Sequence, residues 1–219
     1  MTLDAMTDSP FTLRSLLQTL FFVCFVKPFL TLFIGLRVRG LENLPKSDPF
    51  ILIANHSSHL DTVSLLNLFP VRRLYRIRPA AAADYFEKTK VSSFISRTFF
   101  NILPIARKNF TAGNHPLDTM ERALRDGNSI ILFPEGTRGS GGDMASFRSG
   151  IARLVERVPE IPVTPAYLVN MGRSLPKGEL IPVPFFCEVR IGAPRTLSGD
   201  KDAMLAELEA AVRALRDEE

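Results

Sequence analysis

The fold of this chain is first indicated by residues 49–61, which read PFILIANHSSHLD. The run FILIA is typical of a buried strand, and the residues after it are typical of a helix. The loop between the two carries His56, and Asp61 follows five residues later. Because an α-helix turns every 3.6 residues, these side chains can meet only if His56 precedes the helix and Asp61 lies in its first turn.

Strands and helices alternate along the rest of the 219 residues. Strands are predicted at residues 36–39, 50–54, 74–77, 102–105, 129–133, 163–168 and 185–191. Helices are predicted at residues 58–69, 91–100, 116–125, 149–158 and 201–216. This alternation predicts a single α/β domain with a mixed, mostly parallel sheet flanked by helices.

The N-terminal region differs in composition, because residues 11–33 are mostly Leu, Phe and Val. Lys27 and Pro28 interrupt the run, and each half is shorter than the roughly 20 apolar residues of a spanning helix. No small-residue cleavage site of a signal peptide follows. We predict that residues 1–34 form a membrane-associating segment, a helix in the interface broken at Pro28, and that residues 35–219 form the domain. A core helix and a single span are the alternatives.

Composition limits the partners of the chain. The net charge of +4 suits an anionic membrane surface or a phosphorylated substrate, and no nucleic-acid motif is present. We therefore predict no nucleic-acid partner. Cys24 and Cys187 lie in apolar runs and are predicted to be buried thiols.

The histidine and the carboxylate allow three interpretations. Ser58 and Asp61 have the spacing of a capping box, with His56 a simple loop residue. Alternatively, Asp61 holds one imidazole nitrogen protonated, so that the other nitrogen can take a proton from an alcohol. His56, His59 and Asp61 could also bind a metal, but their spacing is not that of a helical pair and no fourth ligand presents itself. We predict neither a metal nor a bound cofactor.

A second polar block, FPEGTR at residues 133–138, follows another predicted strand. Gly136 permits a positive φ, so that neighbouring N–H groups can converge on an anion. Arg138 adds a planar cation suited to phosphate. Arg107 and the segment FRSG at residues 147–150 are further basic groups near element ends. Because α/β sheets bind ligands at the carboxyl ends of their strands, an anion site is expected there.

The motifs NHxxxxD at residues 55–61 and FPEGTR at 133–138 resemble those of the glycerolipid acyltransferases, in particular the bacterial 1-acyl-glycerol-3-phosphate acyltransferases. Two further segments are similar to family motifs in the same order, NILPIAR at residues 101–107 and IPVTP at 161–165. The resemblance covers residues 35–195. Asn101 stands where the family usually has glycine, and Gly139 where it often has serine; both departures are expected near the acceptor site.

The resemblance implies that His56, oriented by Asp61, deprotonates the hydroxyl of lysophosphatidic acid. The donor would be acyl-CoA or acyl carrier protein, and the product phosphatidic acid. It also implies that five residues hold the acceptor phosphate: Arg107, Glu135, Gly136, Thr137 and Arg138. The expected location is the cytoplasmic face of the inner membrane. The alternatives are another lyso-lipid acceptor, a metal-dependent hydrolase using His56, His59 and Asp61, and a non-catalytic lipid-binding module.

Overall fold

A computed structural model describes residues 12–217, except 87–88, 108–112, 114, 140–143, 177 and 180. The described strands are β1 (Arg37–Arg39), β2 (Ile51–Ala54), β3 (Ile77–Ala82), β4 (Leu103–Ile105), β5 (Ser129–Leu132), β6 (Val163–Val169) and β7 (Glu188–Ile191). The described α-helices are α1 (Leu13–Phe21), α2 (Leu60–Asn67), α3 (Ala83–Phe86), α4 (Lys90–Phe100), α5 (Pro116–Arg125), α6 (Gly150–Arg157), α7 (Met171–Ser174) and α8 (Lys201–Asp217).

The strands form one sheet in the order β1-β7-β6-β2-β5-β3-β4. Every neighbouring pair is parallel except β6 and β7, which are antiparallel. The predicted mixed, mostly parallel α/β fold is confirmed. The antiparallel pair has a consequence for the site: β7 and its parallel neighbour β1 begin at the edge where β2, β5 and β6 end.

Both faces of the sheet are covered, which explains why β2 reads as an unbroken apolar run. On one face, α5, α6 and α8 contribute to a core that includes Leu124, Leu154 and Leu208. On the other face, α2 and the N-terminal helix contribute to a second core around Phe50 and Leu65. All four residues of β2 are fully buried between these two layers.

The N-terminal helix runs without interruption from Leu13 to Ile34 and is long and apolar enough to cross a membrane by length and composition. The break predicted at Pro28 is wrong. The segments on both sides of Lys27 and Pro28, Phe22–Val26 and Phe29–Ile34, are π-helical. Longer-range π-type hydrogen bonds accommodate a proline that has no N–H to donate.

The helix has two unlike faces. Residues spaced four apart are buried in the domain: Phe22, Val26, Leu30 and Ile34. The outer face exposes large apolar side chains: Leu13, Leu16, Leu20, Val23, Phe25, Leu32 and Phe33. The helix is therefore part of the domain core on one side, and apolar surface on the other. Its association with a membrane stays a prediction.

Three local predictions are wrong. Residues 71–76 form a 3₁₀ helix, so that the predicted strand at 74–77 begins only at Ile77. The last strand begins at Glu188 rather than at residue 185, because its partner β6 ends at Val169, opposite Glu188. Cys24 is exposed on the outer face of the helix, whereas Cys187 is buried as expected.

Candidate active site

The His56 ring contacts the Asp61 carboxylate directly, with Nδ1 2.8 Å from Oδ2. His56 lies in the loop after β2, and Asp61 lies in the first turn of α2. This is the arrangement that the five-residue spacing demands. Since the Asp61 carboxylate accepts a hydrogen bond from Nδ1, the proton of a neutral imidazole resides on Nδ1, and Nε2 is left as the basic nitrogen.

Asp61 also organises the loop itself. Its Oδ2 atom accepts hydrogen bonds from the backbone N–H groups of Ser57, at 2.6 Å, and Ser58, at 2.8 Å. The carboxylate is fully buried, and three donors converge on one oxygen. Such a network holds the carboxylate in place and fixes the orientation of the imidazole.

The expected helix start at Ser58 is shifted. Helix α2 begins at Leu60, and the preceding His59 makes no side-chain cap. The Ser58 hydroxyl instead accepts from Leu60 N at 3.1 Å and donates to Leu175 O at 2.8 Å. Only the carboxylate half of a capping box is present, so that Asp61 both caps the helix and orients the base.

Glu135 joins the two motif loops through their backbones. Its Oε1 accepts from His56 N at 2.7 Å, and its Oε2 accepts from Ala145 N at 2.9 Å. The residue is buried. Burial raises the pKa of the Glu135 carboxyl, while the hydrogen bonds from Ala145 and His56 oppose that rise. Glu135 therefore stabilises the position of His56 from the opposite motif.

Two further contacts restrict the His56 loop. The imidazole stacks on the Phe133 ring, with centroids 4.1 Å apart and an interplanar angle of 15°. The His56 carbonyl accepts from Gly139 N at 2.9 Å. The sequence did not single out Phe133 for this role, because a phenylalanine at a strand end is ordinarily read as core.

The turn of FPEGTR depends on its glycine. Gly136 has φ of 75°, and a Cβ at this position would lie 2.8 Å from Arg148 Nε. Arg148 Nε donates to the Glu135 carbonyl at 3.1 Å. Any side chain at residue 136 would be strained by the backbone and would displace Arg148. Arg148 thus stabilises the turn, a role that its position in a basic segment did not predict.

The basic residues of separate loops converge here. Arg107 donates to the Gly136 carbonyl at 3.3 Å. Partial burial, followed by the positive charges of Arg138 and His56, lowers the pKa of His59. The effect of Arg138 indicates that its charge lies within electrostatic range of His59, in the loop that carries His56. Thr137 is exposed in the same turn.

His56 lines a cavity of about 290 Å³. The walls come from both motif loops, from the end of β6, from α7 and from α8; they include Asn55, Ser57, Glu135, Gly139, Met144, Tyr167, Leu168, Val169, Asn170, Arg173 and Arg216. Asn55 fixes this wall, since its amide exchanges hydrogen bonds with the backbone N–H and carbonyl of Leu168. A base at the wall of a cavity, oriented by a buried carboxylate, can take a proton from a bound hydroxyl.

The two departures from the family pattern occupy different places. Asn101 ends α4 in the left-handed conformation, with φ of 52°, as asparagine tolerates. Its amide donates to the carbonyls of Leu74, Tyr75 and Ile77, so Asn101 joins α4 to the chain before β3 and is not among the cavity residues. Gly139 does line the cavity.

The metal interpretation finds no geometric support in the part of the chain that the structure describes. No three His, Cys, Asp or Glu side chains there form a group that could hold a metal ion. The Asp61 oxygen nearest His56 is already engaged by three donors. The pair instead has the geometry of a carboxylate-oriented base.

With the family model for acyltransferases matching residues 35–169, the chain belongs to the acyltransferase family. Among curated proteins it is similar to the chloroplastic 1-acyl-sn-glycerol-3-phosphate acyltransferase LPAT1 of Arabidopsis thaliana, with 31% identity over 67% of this chain and 39% of that protein. It is also similar to the 1-acyl-sn-glycerol-3-phosphate acyltransferase of Bacillus subtilis, with 29% identity over 52% of this chain and 54% of that protein.

The crystal structure of the 1-acyl-sn-glycerophosphate acyltransferase PlsC from Thermotoga maritima has the same fold. The TM-score is 0.68 at 23% identity, and the match covers 83% of this chain and 71% of that chain. The chain spans 39% and 54% of the length of the Arabidopsis and Bacillus relatives.

Proposed function

We propose that the protein transfers an acyl chain from a thioester to the free hydroxyl of lysophosphatidic acid, giving phosphatidic acid. The observation that carries the proposal is the 2.8 Å contact between His56 Nδ1 and a fully buried Asp61 at the wall of a cavity. The relatives named above support the choice of acceptor. The donor is acyl-CoA or acyl carrier protein.

In this mechanism His56 Nε2 takes the proton of the acceptor hydroxyl as its oxygen attacks the thioester carbonyl. Asp61 stabilises the resulting imidazolium. The tetrahedral intermediate collapses by breaking the carbon–sulfur bond, and the imidazolium returns the proton to the leaving thiolate. Each proton and each leaving group is accounted for without a metal or a bound cofactor.

The phosphate of the acceptor is proposed to bind at the turn of residues 136–138 with Arg107. Arg138 belongs to this turn and lies close enough to His59 to lower its pKa. Arg107, which follows another strand, donates to the Gly136 carbonyl of the same turn. The Glu135 carboxylate is engaged by two backbone N–H groups and is itself an anion. We therefore propose that Glu135 acts by holding the His56 loop, whereas Gly136, Thr137, Arg138 and Arg107 face the phosphate.

The outer face of the N-terminal helix is proposed to hold the protein at a membrane, where acceptor and product both reside. Residues 1–34 would then be the membrane-associating segment and residues 35–219 the acyltransferase domain. We expect the protein at the cytoplasmic face of the inner membrane, where soluble thioester donors are made accessible.

The decisive experiment assays purified protein with acyl-CoA and acyl carrier protein in parallel, against lysophosphatidate and other lyso-lipids, with and without a chelator. His56→Ala should lower turnover about 10²- to 10⁴-fold, since general-base catalysis is lost. His59→Ala is the matched control, because this neighbouring histidine is exposed and should retain activity within a few-fold. A His56→Ala rate near that of the wild type would refute the assignment.

Other outcomes identify the alternatives. Preference for a different lyso-lipid would keep the reaction and change the acceptor; Gly139, which lines the cavity in place of the usual serine, motivates that arm of the assay. Loss of activity on chelation, together with a severe His59→Ala defect, would indicate a metal-dependent hydrolase.

A further inference from the structure

The apolar segment 181–186, which reads IPVPFF, follows α7 and precedes β7. Four of its large side chains are exposed: Ile181 by 80%, Val183 by 57%, Phe185 by 38% and Phe186 by 50%. Six consecutive apolar residues with this exposure form a surface patch that needs a partner.

The segment is nevertheless tightly attached to the catalytic edge of the sheet. Val183 N donates to the Ser174 carbonyl at 2.7 Å, and the Ser174 hydroxyl donates to the Val183 carbonyl at 2.8 Å. Asn170 Nδ2 donates to the Phe186 carbonyl at 3.1 Å. Asn170 also lines the cavity beside His56, so that the apolar segment 181–186 stands at the rim of that cavity.

The same edge receives the end of the N-terminal helix. Arg37 N, at the start of β1, donates to the Cys187 carbonyl at 3.0 Å. The helix ends at Ile34, with Gly35 as its left-handed cap. The apolar segment 181–186 therefore lies beside the start of β1, three residues after the apolar helix ends, so that the segment and the end of the helix lie at the same edge of the sheet.

Two exposed cations flank the segment. The Arg37 guanidinium lies 5.1 Å from the Phe186 ring centroid, and the Arg173 guanidinium lies 5.3 Å from that of Phe185. An arginine stacked on an aromatic ring at the border of an apolar patch suits a bilayer surface. The guanidinium can lie among the lipid phosphates while the ring lies deeper, toward the acyl chains. Pro182 and Pro184 have no N–H group, and the backbone N–H and C=O of Val183 are already paired, which lowers the cost of leaving water.

We propose that the apolar segment 181–186 is a second membrane-contact site, which inserts into the interface of an anionic phospholipid bilayer and turns the cavity of His56 toward the lipid. The occupant is a bilayer rather than a protein, because the patch continues the apolar helix and its flanking cations match anionic headgroups. One part of this inference rests on the proposed function: that a lipid acceptor enters the cavity from the membrane.

The first test places an environment-sensitive dye on Val183→Cys in a Cys24→Ser background. Cys187 stays unlabelled because it is buried, and burial raises the pKa of its thiol to about 11. Vesicles of phosphatidylglycerol and phosphatidylcholine should shift the emission to the blue, and lipids with brominated acyl chains should quench it.

Leu41→Cys in the same background is the matched control. Leu41 is 54% exposed, but it follows the end of β1 and so lies at the opposite edge of the sheet from segment 181–186. The close approach of the neighbouring Gly40 to Ile191, the last residue of β7, marks this edge. A dye there should be unaffected. Three outcomes would each overturn the proposal. The emission could shift equally at residues 183 and 41, it could stay unshifted at residue 183 although the vesicles sediment the protein, or the protein could fail to bind these vesicles.

A second test separates this proposal from the proposed function. Ile181→Ser with Val183→Ser should weaken vesicle binding about tenfold, since two exposed aliphatic side chains no longer enter the interface. Leu41→Ser should not. The double variant should still acylate a short-chain, water-soluble lysophosphatidate, but should lose activity on the acceptor in vesicles. If the wild type acylates neither acceptor, the proposed function fails, whereas the dye and binding results still decide the membrane contact.

Discussion

The loop of His56 and the outer face of the N-terminal helix invert the usual burial pattern in opposite ways. The loop buries two carboxylates, Asp61 at 0% exposure and Glu135 at 4%. The helix exposes leucine and phenylalanine side chains, among them Leu32 at 84%. Buried charge is costly unless hydrogen bonds satisfy it, and large exposed apolar surface is uncommon in soluble monomers. We propose that each inversion marks a surface where the molecule meets something other than water.

The compensation also differs between the two regions. Backbone N–H groups donate to Oδ2 of Asp61 and to both oxygens of Glu135, and these bonds hold the position of His56. The other oxygen of Asp61, Oδ1, is buried without a hydrogen-bond partner among the described residues. The described residues offer no comparable cover for the outer face of the helix. The hydrogen bonds that position His56 therefore come from the domain itself, whereas we propose that a membrane covers the apolar surface. Five predictions test this contrast, from the largest expected effect to the smallest.

Asp61→Asn changes the carboxylate that orients His56. The amide removes the charge that stabilises the imidazolium and can donate to Nδ1, which leaves the wrong tautomer. We expect kcat to fall about 10³- to 10⁴-fold. Steady-state kinetics with lysophosphatidate will measure this, and urea unfolding will show whether the fold survives. A rate within tenfold of the wild type would contradict the role of Asp61.

Phe22→Ala and Leu20→Ser compare the two faces of the N-terminal helix. Phe22 is fully buried, so its loss should lower the free energy of unfolding by about 3–5 kcal/mol. Leu20 is 50% exposed, and its replacement should change stability by less than about 0.5 kcal/mol while weakening vesicle binding. Chemical denaturation and vesicle sedimentation measure the two effects. Equal losses of stability would show that the outer face is also packed.

Glu135→Gln tests the link between the two motif loops. Glutamine can accept from only one of the two backbone N–H groups, since its amide nitrogen meets the other donor. One buried donor left unpaired costs about 1–3 kcal/mol, so activity should fall about 10- to 100-fold through displacement of His56. Glu207→Gln, an exposed residue paired with Arg195, is the control. Unaltered turnover in Glu135→Gln would dismiss the positioning role.

The same variant has a smaller pH signature. Because burial raises the pKa of Glu135, its contribution to stability is complete below the ordinary pKa of glutamate and is lost as the pH rises through the raised value. Glu135→Gln should make the free energy of unfolding less dependent on pH in this range. Urea unfolding midpoints of the wild type and the variant, measured between about pH 4 and 8, will show the difference in pH dependence. Midpoints that change with pH in the same way in both proteins would argue against a contribution from Glu135.

Arg138→Ala should have the smallest effect on the reaction itself. Losing one cation at the turn should raise the acceptor KM about tenfold, a typical loss for a charged hydrogen bond, with kcat changed less. Arg195→Ala, at the opposite edge beside the start of β6, is the control. An acceptor KM that stays at the wild-type value would argue that phosphate binds elsewhere.

Much of the fold was predictable from local patterns. The strand before His56 and the helix at Pro116–Arg125 follow directly from apolar runs and from proline at the first helical turn. The errors occurred where local patterns are ambiguous. Pro28 lies within a continuous helix, where π-helical segments on both sides accommodate a residue without an N–H group. The phenylalanines before Glu188 have strand-like chemistry, but no strand in the described part of the chain pairs with them.

The site was predictable in its residue types but not in its connections. Residue type and spacing singled out His56 and Asp61 and limited how they can meet, but left a helix cap equally open; the FPEGTR block and the family resemblance favoured the catalytic pair. The hydrogen bond from His56 N to Glu135 joins residues 79 positions apart, and no local pattern encodes it. The contacts of Phe133 with His56 and of Arg148 with Gly136 likewise depend on how β2 and β5 lie side by side.

The sequence by itself determined the alternation of strands and helices, the His56 and Asp61 pair, and a glycine turn followed by arginine, because each depends on backbone periodicity or on residue chemistry over a few positions. The tertiary structure decided which face of the N-terminal helix is buried and which residues surround His56. It also decided that the apolar segment 181–186 stands at the edge of the sheet that carries His56, since the antiparallel pairing of β6 and β7 sets where that segment lies.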